Sequence, residues 1–259
     1  MEPVLKDSPM TTTYRKQFDK AEKAEEYDLD QYSPKAYSSL LWSIEQSQLQ
    51  SIVDNMRSTH DKIEYLDFAA GTGRVISFME DKVDVATGIE ISQAMVDRAQ
   101  SKLTKGTMIC KDITPAESDI EGKYDLITTF RFILNAEGDL CQAGIDALAK
   151  RLKDENSLLV FNNHGNIISH KLILWPIHKI KGLGKGYRTA GNYMTNKQAH
   201  QVADKAGLKI ISTVGCGFLG ATVGQALSTK RVAPLERLLS KIGLIRPFSV
   251  NQLYVAKLK

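Results

Sequence analysis

The stretch "EYLDFAAGTGRVISFMEDKVDVATGIEIS", residues 64–92, constrains the fold more than any other part of the chain. An apolar run stops at a turn of small residues: Ala69, Ala70, Gly71, Thr72 and Gly73. A helical pattern follows, and a second apolar run closes on Glu90. Short apolar runs alternating with helical patterns mark strands buried on both faces and joined by crossover helices. The alternation continues along the chain. It predicts strands near 63–68, 83–90, 107–111, 124–130, 157–162, 208–216 and 249–257. It predicts helices near 73–81, 93–103, 138–152 and 196–206. An earlier helix is expected from Ser33-Pro34, a capping residue and a first-turn proline, to about Arg57. The expectation is an α/β fold: a mostly parallel seven-stranded sheet with helices on both faces and right-handed crossovers. Residues 1–60 read as an N-terminal helical cap, 61–259 as the main domain, and about 163–194 as an insertion containing Gly182, Gly184 and Gly186.

In such a sheet, ligands bind beyond the carboxyl ends of the strands, where strand order reverses. The small-residue turn after the first strand lets a ligand approach the backbone, and the following helix points unpaired N–H groups at it. Glu90 stands 19 residues after Gly71, where an acid accepts hydrogen bonds from both ribose hydroxyls. A dinucleotide site would prefer G-x-G-x-x-G to seat a pyrophosphate. Here the turn reads A-A-G-T-G with Asp67 just before it, and that acid suits a cationic amine better. Asp112 ends the third strand in "ICKDIT", placed to meet an adenine amino group. A nicotinamide-dependent oxidoreductase is the disfavoured alternative. A non-catalytic cofactor-binding protein of the same fold is another.

These features resemble the class I S-adenosylmethionine-dependent methyltransferases, over about Ile63 to Asn162. "LDFAAGTGR" is similar to the family's first motif, with Ala69 where glycine is commoner, and "GIEIS" to its ribose-binding acidic loop. "QAMVDRA" looks like the helix that follows that loop, and "YDLITTFRF" like the fourth strand. The resemblance implies a Rossmann-like methyltransferase fold, S-adenosylmethionine as cofactor and S-adenosylhomocysteine as product. It implies that Asp67 organises the methionine amine and that Ala69 and Gly71 pass close under the methionine and ribose. Thr72, Gly73, Arg74 and Met95 complete the cofactor site. Glu90 would bind the ribose, Ile91 would pack on the adenine, and Asp112 would take its amino group beside Ile113. Phe130 and Arg131 would line the reaction space. Tyr14, Tyr27, Tyr32 and Tyr37 precede the sheet, where this family often builds a lid. No metal is called for.

The acceptor is read from charge. The net charge of +4 conceals an asymmetry, because residues 156–259 hold fifteen Lys and Arg against Asp204 and Glu236. That part carries +13 and the remainder −9. It is either a solvated basic face or a surface for an anionic partner: substrate, nucleic acid or membrane. The turn "TFRFILN" lacks the Asn/Asp-Pro-Pro-aromatic pattern of base and amide methylation, and no cysteine lies in it, which disfavours nucleic-acid bases. "RFILNAE" and "FNNHGNIISHK" resemble bacterial methyltransferases acting on sugars, glycolipids and polysaccharide precursors. The expected activity is O-methylation of an anionic small-molecule, sugar or lipid-linked acceptor. His164 is the candidate base, with a rate–pH limb near neutrality, and Arg131 the candidate anion ligand. "HKLILWPIHKIKGLGKGYR" reads as a cover over the acceptor pocket or as a peripheral membrane contact. Three scattered cysteines and a polar N-terminus without a signal peptide point to the cytoplasm, including the inner membrane face.

Overall fold

The computed structural model describes residues 36–115, 122–172 and 192–259. The expected cap at Ser33-Pro34, Tyr14, Tyr27, Tyr32 and the glycines of the insertion lie outside these residues.

Among the described residues the sheet has seven strands: β1 Glu64–Phe68, β2 Val85–Glu90, β3 Thr107–Cys110, β4 Leu126–Thr129, β5 Leu158–Asn163, β6 Leu208–Cys216 and β7 Asn251–Leu258. Their spatial order is β3-β2-β1-β4-β5-β7-β6. The first five are parallel, and β7 runs antiparallel between β5 and β6. Strand order therefore reverses between β1 and β4, and the loops after both open into one crevice.

The helices are α1 Tyr37–Arg57, α2 Arg74–Met79, α3 Gln93–Gln100, α4 Phe132–Asn135, α5 Gly138–Ala149, α6 Asn196–Lys205, α7 Gly220–Leu227 and α8 Thr229–Lys241, followed by a 3₁₀ turn at Gly243–Phe248. Side chains alternate along β1, as the strand period requires. Leu66 and Phe68 join the core formed with α4, α5 and α6, whereas Tyr65 joins the core formed with α1, α2 and α3. Leu49, Val53 and Met56 of α1 share one core with Ile63, Tyr65, Ile76 and Leu126, so this helix packs directly on the sheet. Ends of predicted elements move by at most three residues, for example Arg74–Met79 for 73–81. α4, α7, α8 and the 3₁₀ turn were not expected. No helix among the described residues is long and apolar enough to cross a membrane.

Candidate active site

The turn after β1 is built by three left-handed residues, Ala69 (φ 53°), Gly71 (φ 56°) and Gly73 (φ 81°). A side chain at Gly73 would place its Cβ 2.8 Å from that of Ala99, so glycine lets α2 begin tight against α3. Ala69 tolerates the conformation at a cost of about 1 kcal/mol. Thr72 is buried and its carbonyl accepts from Lys102 Nζ at 2.9 Å. Met95 is buried beneath Gly71, with its Sδ 3.9 Å from where a Cβ would stand.

Two acids face this turn. Glu90 is buried and accepts from three backbone N–H groups: Gly71 at 3.0 Å, Ile91 at 2.8 Å and Ser92 at 3.1 Å. It thus ties the end of β2 to the turn. Burial raises its pKa against the pull of those three donors. Asp67, 1 % exposed, accepts from Thr128 Oγ1 at 2.7 Å and from the Ile76 N–H at 3.1 Å. Burial pushes its pKa up to about 7, with Thr128, Ile76 and Arg74 acting downward. The third acid, Asp112, accepts from both the N–H and the hydroxyl of Thr114, forming an Asx turn after β3. Ile91 is 38 % exposed and offers an apolar surface beside Glu90. Ile113 is buried in the core with Ile89 and Ile127.

Asp67, Ala69, Ala70, Gly71, Thr72, Arg74, Val75, Phe130 and Arg131 enclose a cavity of about 60 Å³. Glu90 and the exposed Ile91 lie outside this lining. Three residues that sequence reasoning missed shape it. Trp42 of α1 lies under the Arg74 guanidinium, 4.4 Å from ring centroid to Cζ, and meets Phe130 edge-on at 6.2 Å. Glu45 of α1, also buried, accepts from Asn162 Nδ2 at 2.9 Å and Asn251 Nδ2 at 2.8 Å. Asn162 Oδ1 in turn accepts from the Arg131 N–H at 2.7 Å, which helps hold Arg131 in a left-handed conformation (φ 62°). A sequence signal existed: Glu45 interrupts the apolar face of a helix, and Asn162 ends an apolar strand. Tyr37, expected near a lid, is instead an anchor, its hydroxyl donating to Glu236 at 2.8 Å.

His164 follows β5 and is half-buried, with a buried Nδ1 that has no hydrogen-bond partner among the described residues. Burial, then the charges of Arg131, Lys171 and Arg74, hold its pKa well below the usual histidine value. Lys171 Nζ donates to the His164 carbonyl at 3.3 Å, and burial and Arg131 lower its pKa too. The expected titration of His164 near neutrality therefore moves to the acid side: burial first, and then the neighbouring cations, favour the neutral ring. Both ends of the insertion are pinned beside it. Asn166 bridges to Met194, and Asn163 Nδ2 donates to the Met194 carbonyl at 2.9 Å.

The turn fits an S-adenosyl ligand on this structure's own terms: a backbone cradle, a buried acid at its floor and a second acid tied to its rim. One Tyr-x-x-x-Lys spacing, a pattern of some nicotinamide oxidoreductases, is present at Tyr193 and Lys197. The N-cap Thr195 of α6 separates the two, and Lys197 is exposed, so they form no helical pair in the crevice. Comparison with known proteins agrees with the methyltransferase reading. The chain is 29 % identical over 132 residues to malonyl-[acyl-carrier protein] O-methyltransferase of Priestia megaterium, and the match spans 48 % of this chain and 45 % of that protein. The chain thus spans about half the length of that curated relative. Magnesium protoporphyrin IX methyltransferase from Synechocystis PCC 6803, solved with S-adenosylhomocysteine, superposes with a TM-score of 0.61 at 16 % identity, covering 95 % of this chain and 97 % of that one. The N-methyltransferase NodS from Bradyrhizobium japonicum WM9, also with S-adenosylhomocysteine, gives 0.59 at 12 % identity, covering 93 % and 98 %. These two share the fold. The methyltransferase-domain family model matches residues 41–213, and the chain belongs to that family of S-adenosylmethionine-dependent enzymes.

Proposed function

We propose that the enzyme methylates an oxygen of an anionic acceptor, a sugar or lipid-linked small molecule, at the crevice between the β1 turn and the loops after β4 and β5. One observation carries this reading: Arg131 lines the cavity wall, Lys171 Nζ reaches the carbonyl of the neighbouring His164 at 3.3 Å, and the charge of Arg131 adds to burial in lowering the Lys171 pKa. A local excess of positive charge of this kind is relieved by an anion. The curated relative's name, an O-methyltransferase of malonyl-acyl-carrier protein, supports an oxygen acceptor. When bound, S-adenosylmethionine supplies an electrophilic methyl carbon on a sulfonium, and S-adenosylhomocysteine leaves. The protein's part is placement: Glu90 and the 69–73 turn hold the nucleoside side, Asp67 faces the amine, and Phe130 and Arg131 border the acceptor. Holding the acceptor oxygen in line, about 3 Å from the methyl carbon, is where most of the acceleration comes from.

Acceptor recognition is tested by Arg131→Gln and Lys171→Gln. Each should raise the KM for a charged acceptor about tenfold and leave cofactor affinity unchanged. Added salt should act in the same direction. Equal activity of parent and variants on every anionic acceptor would end the anionic reading.

Asp67 gives a second test, through pH. Its folded pKa lies above the unfolded value of 3.8, so its contribution to stability is full below about pH 4 and lost as pH rises towards 7. The cofactor's cationic amine favours the ionised acid. Affinity for S-adenosylmethionine should therefore fall about tenfold per unit as pH drops below 7, and level off above it. Calorimetry in two buffers of different ionisation enthalpy should detect a proton released on binding near pH 6.5 (about half a unit below the Asp67 value). Asp67→Asn should flatten both responses. A parent affinity independent of pH would separate Asp67 from the amine.

A further inference from the structure

We propose that the outward face of α8 and the following 3₁₀ turn docks on an anionic lipid bilayer. α8 turns Val232 and Glu236 inward. Val232 packs on Tyr37 and Leu40. Glu236, fully buried, accepts from the N–H groups of Gly217, Phe218 and Leu219 and from the Tyr37 hydroxyl. The opposite side sets exposed leucines among its bases, where a surface helix is normally polar throughout. Leu235 and Leu238 are 47 % and 58 % exposed and are followed one turn later by the exposed Ile242. Leu244, at 90 %, and Phe248 continue the apolar surface through the 3₁₀ turn. Five large apolar side chains exposed within fourteen residues are more than the scattered single hydrophobics of an ordinary surface.

Charge selects the occupant. Lys230, Arg231, Arg237 and Lys241 are exposed around the leucines. The one acid between residues 217 and 248 is Glu236, which faces inward, so the outward face of α8 carries bases only. A second copy docked on the same patch would set these bases against their own equivalents. Nucleic acid would satisfy the bases and leave Leu244 without a partner. An anionic bilayer satisfies both, with headgroup phosphates on the bases and the acyl boundary under Leu238, Leu244 and Phe248.

The position of the patch gives it a purpose. β6 and β5 both run antiparallel to β7, so β6 ends at the same edge of the sheet as the strands that carry the site. α7 and α8 follow that end directly. Asn166, two residues after His164, donates to the carbonyls of Pro247 at 2.7 Å and Ser249 at 2.9 Å, joining the acceptor loop to the 3₁₀ turn. A bilayer on this face lies alongside the acceptor mouth. The inference goes beyond the methyl-transfer reading and stands without it.

Flotation of the full chain with vesicles is the test. The protein should float with phosphatidylcholine vesicles that contain phosphatidylglycerol and not with phosphatidylcholine alone, and salt should release it. The double variant Leu238→Glu/Leu244→Glu should bind at least about tenfold more weakly. Its cofactor affinity by calorimetry should match the parent's, which separates loss of docking from loss of the active site. Should that variant fold poorly, Arg231→Gln/Lys241→Gln decides alone, again by weaker flotation at unchanged cofactor affinity. Equal flotation with neutral vesicles, or undiminished flotation of the folded variants, overturns the proposal. So does a parent dimer in sedimentation that the leucine variant dissolves, which would assign the patch to a second copy.

Discussion

Glu90→Ala should weaken S-adenosylmethionine binding by about 2–3 kcal/mol, the worth of charge-assisted hydrogen bonds from ribose to a carboxylate. The position of a strand-end acid would suggest that folding is spared. The structure argues otherwise. Glu90 accepts from the N–H groups of Gly71, Ile91 and Ser92, and it is the link between β2 and the cofactor turn. Its removal leaves three donors without their acceptor, and destabilisation of about 2–4 kcal/mol is expected. Glu90→Gln separates the two roles. One amide oxygen still accepts from the backbone, so stability should be partly restored, while the charge that strengthens the ribose contact is gone. Thermal unfolding and calorimetry on the same samples give both quantities. A Glu90→Ala protein that binds cofactor like the parent would remove Glu90 from the ribose site. One that unfolds at the parent's temperature would show that water replaces it at the turn.

How much of this was legible beforehand differs by region. The five parallel strands were visible as short apolar runs that only turns interrupt, most clearly in β1, β4 and β5, which are buried on both faces, and least in the edge strand β3. The cofactor turn was visible because close backbone approach excludes large side chains over five consecutive positions. Glu90 and Asp67 were placed by their offsets from that turn. Their hydrogen-bond duties to the backbone were not, since offsets say nothing of which N–H groups lack partners. The burial of Ile113 was not legible, because a residue after a strand points by twist and loop path, and here the path returns its side chain to the core with Ile89.

The region after β6 was not legible. Gly217, Gly220, Pro234 and Pro247 all read as breakers, yet α8 contains Pro234 within its 13 residues. Proline removes a donor and crowds the preceding turn, so a helix with proline at its sixth residue exists only where tertiary contacts hold it. Glu236 provides them, fixing the helix to the end of β6 and to Tyr37. The same residue misleads a charge count. It reads as a surface acid in the basic half, and it is in fact the most interior group of α8. Glu45 misleads in the same way on α1. In both cases an acid at an apolar helical position marks a buried carboxylate that organises backbone and amide donors.

His164→Ala should lower turnover by about 10²–10⁴-fold with cofactor affinity retained, if the acceptor oxygen is a hydroxyl whose proton must leave. The neutral imidazole is the form a base requires. Its surroundings set the pH behaviour. Burial first, and then the charges of Arg131, Lys171 and Arg74, oppose a positive charge on the ring and hold its pKa well below the usual histidine value. At saturating cofactor, where the Asp67 dependence of binding no longer shows, the parent rate should therefore stay level through neutrality and fall only on the acid side. The low basicity has a cost, because a weaker base accepts a proton less readily. The nearby cations offset it by stabilising the acceptor's own developing negative charge. Lys171→Gln should raise the His164 pKa and shift the acid limb upward, towards neutrality. That shift distinguishes a base from a packing residue, whose replacement leaves the limb in place. Full activity in His164→Ala would mean that the attacking oxygen arrives already ionised, as in a carboxylate. Arg131 and Lys171 would then act by holding the acceptor, and proximity alone would account for the rate.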